Sequence, residues 1–458
     1  MSRHGSKAGS EDFMRIKIPE KAKYIIDTIQ AAGFEAYVVG GCVRDSILGR
    51  EPEDWDITTS AKPEQVKGLF RRTIDTGIQH GTVTVMLDKE GFEVTTYRID
   101  GKYEDSRHPK EVTFTPCLTE DLRRRDFTIN AMAYNEEAGL VDIFGGLADM
   151  ENKIIRCVGN AEDRFREDAL RIMRAIRFSA QLGYAIEEKT REAIGELAVN
   201  LKQISAERIQ VELVKLLTSQ HPDFLRIAYE TGVTKVILPE FDVAMETPQV
   251  HPHHQYNVGE HTLHALLHVA PEKCLRLAVL FHDIGKPATL TWDEKDGTTH
   301  FYEHPAVSEA MTKEILHRLK FDNDTIQKVA RLVKYHDYGN GEEPTLKMVR
   351  RAANRIGEDI FEELLQVKRA DVLAQSLYMR EEKLESIRRW RELYQEIMEC
   401  SQCVSLKTLA VTGSDLIAAG RKPGRELGVL LNNLLELVLE HPEYNTKDKL
   451  LEEAAKMP

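Results

Sequence analysis

Long apolar runs are missing from this 458-residue chain, and no stretch approaches the roughly 18 apolar residues that a membrane-spanning helix needs. The opening MSRHGSKAGSEDFMRIKIPE has no apolar signal core, so the expectation is a cytoplasmic protein with no membrane partner. Cysteine is scarce. Six residues (Cys42, Cys117, Cys157, Cys274, Cys400 and Cys403) scattered over this length suit free thiols in a reducing compartment, not a disulfide framework. Cys400 and Cys403 have CxxC spacing, but with no second pair and no strand context they read as structural. With 28 Gly and 16 Pro the chain is neither collagenous nor of low complexity, and it shows no internal repeat of fixed period. Positive charge is also in deficit. The 62 Lys and Arg against 75 Asp and Glu give a net charge of −13, an unpromising total for a protein that binds phosphate. Distribution matters more than the total: DLRRRD at 121–126, and Arg164, Arg166, Arg171, Arg174 and Arg177, gather cations into two short segments.

Hydrophobic residues, at 42%, are ample for several cores, and the length predicts three to four domains. Residues 1–20 read as a disordered N-terminus. Helical periodicity over 20–33 leads to a strand at EAYVVGG, a short helix at CVRDSILG, and strands at DWDITT, GTVTVML, FEVTTYR and VTFT. Residues 21–160 therefore read as one mixed α/β head. From Glu162 onward the pattern is helical. REDALRIMRAIRFSAQ (166–181) puts Leu170, Met173 and Ile176 on one stripe and Arg171, Arg174 and Arg177 on another. A Pro- and His-rich segment, PQVHPHHQYNVGEH, closes a helical neck at 161–250; a second helical block covers 255–376 and a helical tail 377–458. The expected fold class is α+β, a mixed sheet with helices followed by all-α domains.

Gly40 and Gly41 end a strand at a turn into a helix, where backbone N–H groups approach phosphate closely. Asp54 and Asp56, two apart on a strand, would point to one face and suit Mg²⁺ held against a triphosphate, with Glu93 as a third carboxylate from a neighbouring strand. The order GG…DWDI…GTVTV…RRDFTINAMA…DIFGG…REDALRIMRAIRF, over roughly 24–245, resembles the class II nucleotidyltransferases of the polymerase-β superfamily. That group holds tRNA nucleotidyltransferases (CCA-adding enzymes, and split CC- or A-adding forms) and bacterial poly(A) polymerases. The resemblance implies a polymerase-β-like head, with Asp54 and Asp56 as the Mg²⁺ pair and Gly41 and Arg44 as triphosphate contacts. It further implies that Arg125 binds nucleotide, that Asp126 and Asn130 support ribose and loop geometry, and that Glu167-Asp168-x-x-Arg171 selects the incoming base. Asp168 and Arg171 at i and i+3 would share a helix face, continued by Arg174 and Arg177. An aspartate accepting from an exocyclic amino group beside a donating arginine favours C or A without a template. YRIDGKYEDSRHPKEVTF (97–114) stands where the family has a mobile loop associated with A addition, with Arg107-His108-Pro109 in place of the paired arginines common there.

A second site is legible downstream. His282 and Asp283, adjacent in LAVLFHDIGKP, follow an apolar helix; at a helix end both side chains can reach one metal ion. His261, His304, His336 and Asp371 add imidazoles and a carboxylate, a donor set for a divalent transition metal such as Ni²⁺ or Mn²⁺. Residues 255–376 resemble an HD-superfamily phosphohydrolase domain, which implies His261, His282, Asp283 and Asp371 as ligands and His304 and His336 as contacts to a second metal or a phosphate. His253, His254, His264 and His268 read as surface or packing residues. The tail LKTLAVTGSDLIAAGRKPGRELG resembles that of several CCA-adding enzymes, which implies Lys407, Arg421, Lys422 and Arg425 facing phosphate at the tRNA elbow.

The leading function is template-independent addition of CMP and AMP to the 3′ acceptor end of tRNA from CTP and ATP, with release of pyrophosphate. The alternatives are addition of A alone, poly(A) synthesis, and an HD phosphohydrolase whose head only binds RNA.

Overall fold

β-Branched residues dominate the segments that build the central sheet, as in Ile57–Thr59 (ITT) and Thr82–Leu87 (TVTVML). In this computed structural model, residues 15–100, 112–295 and 297–457 are described. Residues 101–111, with Arg107-His108-Pro109, and residues 1–14 lie outside them, so the middle of the expected A-addition loop and most of the expected N-terminal disorder fall there; the ends of that loop, Arg98–Asp100 and Val112–Phe114, pair as antiparallel strands. Ile16 and Ile18 are buried, so the packed chain includes residues 15–19.

The chain divides into two compact units, Met1–Ile237 and Leu238–Pro458. Residues 238–250, assigned from sequence to the neck, belong to the second unit, where Arg318 pairs with Glu240 at 2.6 Å and Lys286 donates to Gln249 at 2.8 Å.

In the first unit a seven-stranded mixed sheet runs in the order Thr73–Gly77, Thr82–Leu87, Glu90–Thr96, Ile57–Thr59, Ala36–Val39, Met132–Asn135, Gly139–Asp142. All its pairings are antiparallel except Ile57–Thr59 with Glu90–Thr96, in which Ile57 lies opposite Val94. That register sets Asp56, just before its strand, level with Glu93 in the middle of the neighbouring strand. The last two strands escape the alternation test because Met132–Asn135 is buried at all four positions and Gly139–Asp142 is half-buried at all four. After the sheet, helix Leu170–Leu182 buries Leu170, Met173 and Ile176, as its apolar stripe predicts, and packs on helix Ala206–Leu217.

Among the described residues the second unit is helical apart from the hairpin Leu290–Asp293 with Thr298–Phe301, which the sequence pattern does not announce. Its central helix, Lys273–Phe281, is buried from Leu275 to Phe281 and packs on Val258–Leu266, Asn323–Tyr335 and Phe361–Ala374. Cys403 sits in a separate apolar cluster with Leu416, Leu434 and Leu450, consistent with a structural thiol. No helix among the described residues is long and apolar enough to cross a membrane.

Candidate active site

Asp54 and Asp56 precede the strand Ile57–Thr59; they do not lie on it. The correction is local, because the carbonyl of Asp56 still accepts from Val39 N at 3.0 Å and continues the sheet edge. Asp54, Asp56 and Glu93 all reach solvent. Burial still pushes the Asp56 carboxyl above its ordinary range, with Arg125 pulling it down and Asp54 adding to the rise. Burial raises Glu93 as well, helped by the charges of Asp56 and Asp54. Three carboxylates that feel one another's charge fit a divalent cation, which would relieve their repulsion.

Gly40 joins the strand Ala36–Val39 to the helix Gly41–Ile47 at φ +82°, and a Cβ there would stand 3.0 Å from Arg125 Nη1. Glycine is required on both counts. Gly41, Arg44, Asp54, Asp56 and Arg177 line a cleft of about 790 Å³ together with Lys215. Arg44 is less available than expected. It is buried and donates to Asn130 Oδ1 at 2.6 Å and to both oxygens of Asp45 at 2.9 Å.

The segment expected to read the base is a broken helix. Helix Ala161–Glu167 ends at Asp168, whose φ of −141° is extended, and helix Leu170–Leu182 begins two residues later. Asp168 and Arg171 therefore do not share one helix face. The turn instead brings them into a pocket of about 260 Å³ with Arg124, Arg125, Asp126, Leu170, Arg174 and Arg208. Asp168 Oδ1 accepts from Leu170 N at 3.0 Å, and Oδ2 accepts from Arg208 Nη2 at 2.7 Å. Arg171 is held by Glu167 Oε2 at 2.6 Å and by the carbonyl of Arg124 at 3.0 Å. Arg174 forks onto Asp126 Oδ2 at 2.8 and 2.5 Å. Burial opposes ionisation of Asp126 most strongly, yet Arg174 and Arg171 hold its carboxyl down to about 2. Arg177 leaves the stripe: it is buried, paired with Glu212 at 2.9 Å, and lines the larger cleft. Arg125 Nε and Arg208 Nη1 are buried with no hydrogen-bond partner among the described residues, as expected of a pocket built for a polar ligand.

Sequence reasoning passed over Arg208, Glu212 and Asp121. Asp121 is fully buried and gathers Arg124 at 2.8 Å, Arg125 at 3.5 Å and Thr58 Oγ1 at 3.0 Å, fixing RRD against the sheet. The signal was present in DLRRRD and AERIQVE, but only the fold shows which charges meet.

In the second unit, His282 caps the C-terminus of Lys273–Phe281, as the motif predicts. His261 Nε2 lies 2.9 Å from Asp371 Oδ1 and 3.3 Å from His282 Nε2, and His282 Nε2 lies 3.3 Å from Asp283 Oδ2. His261, His282 and Asp283 form one ligand group, and Asp283, His304 and His336 another. His253 and His254, read as packing residues, line this pocket of about 240 Å³ with His251, Lys286 and Lys383. His264 instead stacks on Tyr256, and His268 lines no pocket wall here. Arg421 commits its Nη2 to the carbonyls of Ala454 and, at 2.7 Å, Met457.

A sheet carrying paired carboxylates, with an arginine-rich pocket in the same unit, is the arrangement of a nucleotidyltransferase. Three family models match along the chain: the poly A polymerase head domain over residues 36–156, the probable RNA and SrmB-binding site of polymerase A over 183–245, and the putative tRNA nucleotidyltransferase domain 2 over 294–454. A CCA-adding enzyme of Levilactobacillus brevis is 37% identical over 94% of this chain and 96% of its own length. That of Lactiplantibacillus plantarum is 54% identical over 49% of this chain, a match spanning about half (54%) of the relative. Among solved structures, the Bacillus stearothermophilus CCA-adding enzyme in complex with CTP aligns with a TM-score of 0.71 at 29% identity, covering 95% of this chain and 96% of that one. The chain belongs to the CCA-adding enzyme family, which are tRNA nucleotidyltransferases.

Proposed function

We propose that this protein completes the 3′ end of tRNA with C, C and A, taking CTP and ATP in turn at one site. The observation that carries this reading is the base pocket. Asp168, Arg171 and Arg208 put acceptor and donor groups into one pocket, which Arg125 links to the carboxylates. In the reaction, the tRNA 3′ oxygen forms a bond to the α-phosphorus, the bond to the bridging oxygen breaks, and pyrophosphate leaves. Asp54, Asp56 and Glu93 are the residues that would hold Mg²⁺, which when bound neutralises triphosphate charge and favours the attacking alkoxide. Arg125 spans the carboxylates and the base pocket, and Asp126 fixes Arg174 so that the pocket keeps its shape. The exposed cations Lys407, Lys422 and Arg425 suit phosphates of the tRNA elbow. Asp54→Ala and Asp56→Ala should each lower nucleotide addition by more than about a thousandfold while leaving the tRNA Kd within roughly twofold. A parallel loss of tRNA affinity would contradict the assignment of these carboxylates.

A second reading concerns the other unit. His261, His282, Asp283 and Asp371 supply two imidazoles and two carboxylates, a set that fits a divalent transition metal, and Lys286, Lys383 and His254 surround it with phosphate-binding chemistry. We infer an HD-type phosphohydrolase site there, acting on a phosphate ester.

A further inference from the structure

We propose that Arg208 reads the incoming base directly, its Nη1 donating to the ring nitrogen beside the amino group that Asp168 accepts. The inference rests on the base-pocket reading and gives that pocket a donor on a different helix from Arg171.

A pocket that takes C and A and refuses U and G needs one acceptor and one donor side by side. Cytosine offers its N4 amino group next to the N3 lone pair, and adenine its N6 amino group next to N1. Uracil and guanine present the opposite order, a carbonyl oxygen next to an N–H. Asp168 is the acceptor. The donor has to be an N–H group that the fold has not already used, because a committed one serves a base only by giving up its own bond.

Five arginines line the pocket, and four of them are engaged elsewhere. Arg124 turns Nε and Nη2 onto Asp121 Oδ1, at 3.0 and 2.8 Å. Arg174 turns the same two nitrogens onto Asp126 Oδ2. Arg171 gives Nη1 to Glu167 Oε2 at 2.6 Å and to the carbonyl of Arg164 at 3.2 Å, and Nη2 to the carbonyl of Arg124 at 3.0 Å. Arg125 serves the carboxylate side: its Nη2 lies 3.5 Å from Asp121 Oδ2, and its charge acts on Asp56.

Arg208 differs from all four. Its Nη2 donates to Asp168 Oδ2 at 2.7 Å, while its Nη1 is buried with no hydrogen-bond partner among the described residues. A donor shut off from water and left unpaired is costly until a ligand with a lone pair meets it. The guanidinium is planar, so the bond that holds Nη2 on Asp168 also fixes Nη1 next to that carboxylate. Leu170 N holds the other oxygen of Asp168 at 3.0 Å, which keeps the acceptor from turning away. The helices supply the register. Arg208 lies in the first turn of Ala206–Leu217, and Glu212, four residues on and on the same face, pairs with Arg177 of Leu170–Leu182 at 2.9 Å. That pair locks the two helices together and brings Arg208 to the break at Asp168.

The test is single AMP addition by the full chain to tRNA ending in CC. ATP is compared with 1-deaza-ATP, which lacks the N1 lone pair, and with purine riboside triphosphate, which lacks the N6 amino group. Wild-type kcat/KM should fall about 10–100-fold for each analogue. In Arg208→Ala the penalty for 1-deaza-ATP should shrink to within about twofold. Arg208→Gln, which keeps an amide donor without the charge, should retain a penalty of about 3–10-fold. Arg171→Ala should lower addition of every analogue and leave the 1-deaza-ATP penalty in full. If that penalty survives in Arg208→Ala and only the amino-group penalty is lost, the proposal is overturned and Arg208 merely positions Asp168. Loss of the penalty in Arg171→Ala instead gives the donor to Arg171 and overturns it as well. Equal use of ATP and both analogues by wild-type protein overturns the base-pocket reading itself.

Discussion

Arg208→Ala should damage base choice more than catalysis. Its guanidinium holds Asp168 Oδ2 at 2.7 Å, with the two side chains 24% and 18% exposed. A hydrogen bond to a charged group contributes roughly 1.5–3 kcal/mol when buried, and partial exposure reduces this to about 1–2 kcal/mol. Without it, Asp168 keeps only its Leu170 N contact and can rotate out of the pocket wall. The ratio of kcat/KM for CTP and ATP over that for UTP and GTP should therefore fall about 5–30-fold. The carboxylates lie elsewhere, so the rate at saturating CTP should stay within roughly threefold. Single-nucleotide incorporation on an acceptor RNA, run with each of the four triphosphates, measures both quantities. Arg208→Lys keeps the charge but loses the planar fork, and should recover part of the discrimination. If kcat/KM falls in parallel for all four nucleotides, Arg208 does not position a base reader and the reasoning fails.

Asp126 is held down to about 2, against an ordinary carboxyl near 3.8, so it contributes stability that is present above about pH 4 and lost as pH falls toward 2. Denaturant titrations of wild type and Asp126→Asn should differ by about 2 kcal/mol at pH 7 and converge near pH 2; a constant gap would refute the linkage. Gly285→Ala would place a Cβ 2.6 Å from Ser308 N and 2.9 Å from the carbonyl of His304, so thermal unfolding should show a loss of about 1–3 kcal/mol. An unchanged melting temperature would mean the helix His304–Arg318 gives way easily. Asp121→Ala strands Arg124 and Arg125 near the sheet, and calorimetry should record a loss of about 3–5 kcal/mol.

Much of this was legible beforehand because its signals are local. The strand-glycine-helix turn at Gly40, the apolar stripe of Leu170, Met173 and Ile176, and the placement of His282 at a helix end all depend on a few neighbouring residues. What escaped depends on distant partners. The helix break at Asp168 is imposed by capping onto Leu170 and pairing with Arg208, 40 residues away, and i, i+3 spacing cannot reveal it. Arg44, Arg177 and Arg421 carry the charge expected of phosphate contacts, yet Asn130, Glu212 and the carbonyl of Met457 engage them within the fold. Met132–Asn135 is buried at every position and gave no alternation to read. His253 and His254 looked like surface residues because only the packing of 250–256 against the hairpin, through Val250 and Thr299, brings them to the pocket wall.

The most direct test supplies tRNA ending at its discriminator base, with CTP alone, ATP alone and both together. The account predicts two nucleotides added from CTP, none from ATP, and three, ending in A, from the mixture. Addition confined to a tRNA already ending in CC, or a long run of A from ATP alone, would contradict it.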